Sequence, residues 1–177
     1  MSATFLWTVV LLVLAGVWAL ALSVYDLRQR MLPNYLTLGG AAVALAVRGL
    51  TGGWGGLMDG AAAGAVAGAF LLLPFLMRGA GGGDVKMLFA AGAIAGWSRV
   101  LFLLWFMSLA GLVLAVVMLA LKQVEGARLK HYARCAVDWR YDRMAGAASL
   151  PSKDSAKTRV PFAIAIGIGL MLSLWVR

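Results

Sequence analysis

Residues 4–34 read TFLWTVVLLVLAGVWALALSVYDLRQRMLPN, and the change of chemistry at Asp26 decides the fold class. From Thr4 to Tyr25 the chain carries no acidic or basic side chain. About 20 such residues, rising 1.5 Å each as a helix, cross a hydrocarbon core of ~30 Å. Then come an aspartate, two arginines and a Pro-Asn pair, the chemistry of a chain leaving lipid. A cleaved secretory signal is the other reading of an apolar N-terminal run, and Ala19-Leu20-Ala21 has the small residues of a cleavage site. The preceding MSATFLW has no Lys or Arg, which such signals carry, so the segment is expected to stay as a membrane span.

The rest of the chain extends that reading. Hydrophobic residues make up 63% of the 177, against about 45–50% in a soluble domain. Further apolar runs cover 36–50, 57–77, 86–97, 100–121 and 161–176. The expectation is an all-α, polytopic membrane helix bundle of about six transmembrane helices. It forms one domain over 1–177, with a basic loop at about 122–160. The second, fourth and sixth runs are short and must tilt, re-enter or be flanked by snorkelling residues. The third contains GAAAGAVAGA at 60–69, whose small residues recur at three- and four-residue spacing. Such a face lets two helix backbones approach closely in lipid. Pro74 is expected to kink the end of that span.

Charge sets the orientation. With the runs crossing alternately, 26–35, 78–86 and 122–160 fall on one side and hold thirteen of the sixteen Lys and Arg residues. Only Arg48, Arg99 and Arg177 fall on the other. The positive-inside rule makes the first side cytoplasmic and puts both termini outside. The net charge of +9 therefore belongs to a membrane surface, and no nucleic-acid partner is implied. Within the loop, 121–144 mixes basic with aromatic residues and fits an interfacial helix on anionic lipid. One cysteine, Cys135, and one histidine, His131, exclude an internal disulfide framework and a cysteine-rich zinc site.

Two acidic residues stand apart. Glu125, Asp138, Asp142 and Asp154 lie in the basic loop, where solvated ion pairs account for them, and Asp59 reads as an exposed charge at the start of the third span. Asp26 ends the first span and Asp84 opens the fourth, both at the cytoplasmic end. An ionisable residue there is either a boundary cap, with Arg28 and Lys86 as charge partners, or a functional group. Two facing carboxylates resist simultaneous ionisation and can share one proton. The ionised member then activates water while the protonated one polarises a carbonyl. That chemistry needs no metal, no cofactor and no nucleophilic side chain. The glycines 81–83 beside Asp84 leave backbone unshielded and able to bend, so an extended chain can approach. They fit neither the GxxxxGK[ST] nor the GxGxxG nucleotide pattern.

GGGD at 81–84 with Lys86, DLRQRMLPN at 26–34 and RVPFAIAIGIG at 159–169 together resemble the type IV prepilin peptidases, GxGD-type intramembrane aspartic proteases. The resemblance implies Asp26 and Asp84 as catalytic residues, with Gly81, Gly83, Lys86, Pro33 and Asn34 as supporting motif residues. It implies a substrate, a prepilin or pseudopilin, whose basic leader is removed at the cytoplasmic face of the bacterial inner membrane. The substrate's apolar helix would pack on the small-residue face of the third span. Members with a zinc-binding cytosolic insert also methylate the new N-terminus. The single cysteine and the short 26–34 link make this chain similar instead to the peptidase-only members of tight-adherence (Flp) pilus systems. Two other functions fit the residues without the resemblance. A non-enzymatic membrane subunit of a pilus or secretion assembly would tolerate loss of either aspartate. A small transporter would favour ionisable groups nearer the midplane, open to both faces.

Overall fold

The computed structural model describes residues 3–29, 32–76, 80–121 and 162–176 of the chain, and side chains from residue 9 onward. The expected interfacial helix at 121–144, and the His131 and Cys135 pair, lie outside the described residues, apart from Leu121. The described residues are all-helical. Five helices follow one another: α1 (Ala3–Gln29), α2 (Asn34–Leu76), α3 (Gly82–Ala95), α4 (Trp97–Ala120) and α5 (Phe162–Trp175). The chain divides into two compact units, Met1–Leu112 with Pro161–Arg177, and Val113–Val160. In the second, only the last turns of α4 and a turn at Leu121 are described. The first unit carries everything that follows.

α2 is a helical hairpin. Gly53 takes φ 60°, ψ −151°, a backbone conformation that a residue with a Cβ rarely adopts. In an unbroken helix Leu45 and Gly60 would lie about 22 Å apart. Here a Cβ on Gly60 would come within 3.3 Å of the Leu45 side chain, so the chain reverses at Gly53. The arms are 34–52 and 54–76. Pro74 lies inside the second arm, which runs on to Leu76.

The six apolar segments thus appear as five helices among the described residues, the second and third being the two arms of α2. Three helical stretches, Val9–Gln29, Asn34–Leu76 and Trp97–Ala120, have the length and composition to cross a membrane. α3 and α5 have 14 residues each, about 21 Å, which falls short of a ~30 Å core.

Neighbouring helices run antiparallel, as the paired contacts show. Along α1 and α2, the Trp18 indole N–H donates to Leu36 O (2.9 Å) and the Tyr35 hydroxyl donates to that of Tyr25 (3.2 Å). Along α1 and α5, Gly167 packs on Ala19, and Gly16 on Met171. Along α4 and α5, Gly169 lies against the Met107 backbone and Gly111 against Ala165. The outward surfaces are apolar, with Leu14, Val17, Leu20, Leu101 and Leu112 exposed, as lipid-facing residues are.

The small-residue face of α2 is the centre of the fold. Gly60, Ala63, Gly64, Ala67, Gly68 and Leu71 are all buried, the three- and four-residue spacing of one helix face. Their partner is α3: Gly64 and Gly68 receive Phe89, and Gly92 sits on Ala63, Gly64 and Ala67. This corrects the expectation that a substrate helix packs there. Burial of that face against α3 leaves no room for a second helix.

The far end of this pair is stapled by Arg48. Its Nε donates to Ala93 O (2.7 Å), Nη2 to Ile94 O (3.1 Å) and Nη1 to Asp59 Oδ2 (2.6 Å). Asp59 Oδ2 also accepts the Trp97 N–H (3.2 Å). Asp59 is partly exposed at the start of its span, as expected, and it also has partners that the sequence did not name. The last carbonyls of a helix lack partners within it, and one guanidinium supplies them at the end of α3 while pinning the α2 hairpin. Gly96, at φ 80°, has the Arg48 guanidinium where a Cβ would sit. Arg48→Met should lower stability by about 1–3 kcal/mol, the cost of leaving buried carbonyls unsatisfied. Thermal unfolding in detergent measures it, and an unchanged midpoint would show that water replaces the staple.

Candidate active site

One end of the bundle holds Asp26, Pro33, Asn34, Gly81, Gly83, Asp84 and Lys86. Asp26 lies in the last turn of α1 and Asp84 in the first turn of α3, both half-buried. Each accepts a backbone N–H from the start of a helix. Asp26 Oδ2 accepts the Ala163 N–H of α5 (3.3 Å). Asp84 Oδ2 accepts the Gly81 N–H (2.9 Å), and Gly81 O in turn accepts the Asp84 N–H (3.1 Å). A helix N-terminus presents unpaired N–H groups and the positive end of its dipole. Both carboxylates are thus held where negative charge is stabilised, and neither side chain swings freely.

The link between α1 and α2 closes the site from the side. Pro33 starts α2, its carbonyl accepting the Leu36 and Thr37 N–H groups (3.1 and 3.2 Å). Thr37 is fully buried, and its hydroxyl donates back to Asn34 O (3.3 Å). This turn presents two groups to the start of α3. The Leu32 side chain packs on Gly83, where an added Cβ would come within 2.9 Å of Leu32 Cβ. The Lys86 ammonium donates to Asn34 Oδ1 (2.8 Å). On the other flank Gly82 packs against Phe75 near the end of α2.

Of the expected residues, Asn34 and Lys86 meet directly, and Gly83 is packed by Leu32, the residue before Pro33. Asp84 and Gly81 meet each other, and Asp26 meets α5. The bland alternative for Asp84, a helix cap, is geometrically real, since its carboxylate accepts the Gly81 N–H at the start of α3. A cap and a reactive carboxylate are compatible roles. Three participants escaped the sequence reading. Leu32 is an ordinary leucine in a charged stretch, the Ala163 N–H belongs to the backbone and has no residue signature, and the Tyr25–Tyr35 pair is split across a turn. Among the described residues no three His, Cys, Asp or Glu side chains converge as a metal centre would require.

The glycine at 83 is a steric requirement of this docking. Gly83→Ala should push Leu32 away and lower stability, with about 1–3 kcal/mol of overpacking to absorb. Adding Leu32→Ala should restore much of the loss. Thermal unfolding in detergent of the two single variants and the pair decides it, and a pair no better than Gly83→Ala would place the defect elsewhere.

The sequence model of the type IV leader peptidase family matches residues 9–116. The chain belongs to the type IV leader peptidase family. It is accordingly a membrane protein and a peptidase. No curated protein and no solved structure gives a significant match. The matched stretch contains Asp26, Pro33, Asn34, Gly81, Gly83, Asp84 and Lys86, so every candidate residue of the leader peptidase site falls inside it. α5, which supplies the N–H to Asp26, lies beyond it.

Proposed function

We propose that this leader peptidase is an aspartic endopeptidase, with Asp26 and Asp84 as its catalytic carboxylates. Its substrate is a prepilin or pseudopilin, cut at the leader boundary on the cytoplasmic face of the bacterial inner membrane. The observation that carries this reading is the gathering, at one bundle end, of two aspartates 58 positions apart in sequence, each held by a helix N-terminus.

The chemistry follows from the donor set. One carboxylate takes a proton from water as the oxygen attacks the scissile carbonyl carbon. The other, protonated, donates to the carbonyl oxygen and stabilises the developing charge. The tetrahedral intermediate collapses with a proton passed to the leaving nitrogen, which returns the pair to its starting protonation state. The scissile bond must be presented in extended chain, because a peptide bond inside a helix is shielded. Leu32 and Phe75 occupy the space beside Gly83 and Gly82, so the peptide approaches from elsewhere than the expected glycine face.

The cytoplasmic assignment rests on the excess of Lys and Arg in 26–35, 78–86 and 122–160. It puts both termini outside and leaves the basic loop on the substrate's leader side. Like charges make that loop a poor binder of a basic leader, so lipid headgroups are its partner here.

The test is cleavage by the purified protein alone. Reconstitute it in liposomes of mixed neutral and anionic lipid with a panel of prepilins, and read the leader by gel shift and N-terminal mass. Removal of the leader at one bond is the expected result. No cleavage across the panel, by protein that is folded and inserted, would favour a non-enzymatic assembly subunit.

A further inference from the structure

Asn34 and Lys86 lie 52 positions apart and join the start of α2 to the first turn of α3. Resting on the peptidase reading above, we infer that this pair is a positioning latch which fixes the direction of the Asp84 carboxylate. Lys86 is two residues beyond Asp84 and Gly83 is the residue before it. Residues 83 and 86 share one side of the helix, being three apart, and 84 is rotated about 100° from 83. Leu32 presses on Gly83 while Asn34 Oδ1 accepts from Lys86 Nζ at 2.8 Å. Two attachments on one side of a helical turn stop that turn rotating about its axis. The rotation of this turn is what aims Asp84.

The segment that makes both attachments, 32–34, is also tied back to α1. The Tyr35 hydroxyl donates to that of Tyr25, the residue before Asp26, and the Trp18 indole holds Leu36 O. The latch therefore connects the turn bearing Asp84 to the helix bearing Asp26. It also accounts for two motif residues the chemistry itself leaves idle. A lysine two residues from a catalytic aspartate needs a partner for its ammonium, and the Asn34 amide oxygen is one.

The experiment is a double-mutant cycle on the full chain in liposomes, with Lys86→Met, Asn34→Ala and the two combined. Two readouts are taken: steady-state cleavage of a prepilin, and hydrogen exchange of the backbone amides at 81–87. Each single variant should lower kcat about tenfold or more, since sub-ångström misplacement of a reacting group is costly. KM should stay within about twofold. The combined variant should be no slower than the slower single one, as members of one unit are not additive. Exchange at 81–87 should quicken while α4 stays protected. Lys86→Arg, which can still donate to Asn34, should recover part of the rate.

Multiplicative losses, a rise in KM alone, or unchanged exchange at 81–87 would overturn the latch. A fall in thermal stability matching the rate loss would reduce it to ordinary packing. If the wild type cleaves no prepilin, the peptidase reading fails by itself. The exchange arm then still decides whether the pair holds the turn of Asp84.

Discussion

Asp26→Asn and Asp84→Asn should each slow leader removal by about 10²–10⁴-fold, the range that a positioned acid or base contributes. Asn matches Asp in size, and its amide oxygen can still accept a hydrogen bond. Asp84→Asn keeps the acceptor for the Gly81 N–H, and Asp26→Asn keeps one for the Ala163 N–H. The local helix ends should therefore survive both changes, and what disappears is the ability to take or hold a proton. Because the two carboxylates act on one water, the double variant should be no slower than either single one. Single-turnover cleavage, at equal membrane levels of each variant, reads the effect. Processing that persists in either would remove that residue from catalysis and return it to the role of a cap.

The second large effect is structural and lies on the other side of α3. A Cβ on Gly92 would sit 2.6 Å from Ala67 Cβ, 2.7 Å from Ala63 O and 3.0 Å from Gly64 Cα. None of these can swing aside, since two are backbone atoms and one is the whole side chain of an alanine. Exchanging Gly for Ala within a helix ordinarily gains about 1 kcal/mol. Here overpacking opposes it with about 1–3 kcal/mol or more, and the steric term should win. Gly92→Ala should lower the unfolding midpoint in detergent, and Gly92→Leu should prevent α3 from seating on α2 at all. Cleavage should then vanish too, because α3 carries Asp84. Gly39→Ala is the control: it lies in the first arm of α2 with nothing within 4 Å of the added carbon. It should be neutral or slightly stabilising. Equal losses at both positions would mean that α3 does not pack as described.

Comparison of these two regions shows how legible the chain was. The spacing of Gly60, Ala63, Gly64 and Ala67 announced a close-packed face, and such a face is buried here. Spacing records only that something approaches closely. It does not name the partner, and α3 rather than a substrate helix fills it. The stretch between the apolar runs 36–50 and 57–77 announced a break, and a positive φ at Gly53 makes it a reversal. Arg48 and Asp59 looked like separate boundary charges because they are eleven positions apart on either side of that turn.

By itself, the sequence determined the membrane class, the helical character and the two aspartates that merit testing. Those follow from residue type and local spacing: apolar length sets the solvent, and an acid at the edge of an apolar run stands out wherever it folds. Only the tertiary structure decided that Asp26 meets the start of α5, that Lys86 meets Asn34 and that Arg48 closes the far end of α3. Each of those contacts pairs groups 45 to 137 positions apart. No local pattern encodes such a pairing, because it depends on where the Gly53 reversal and the α2–α3 packing carry each helix end.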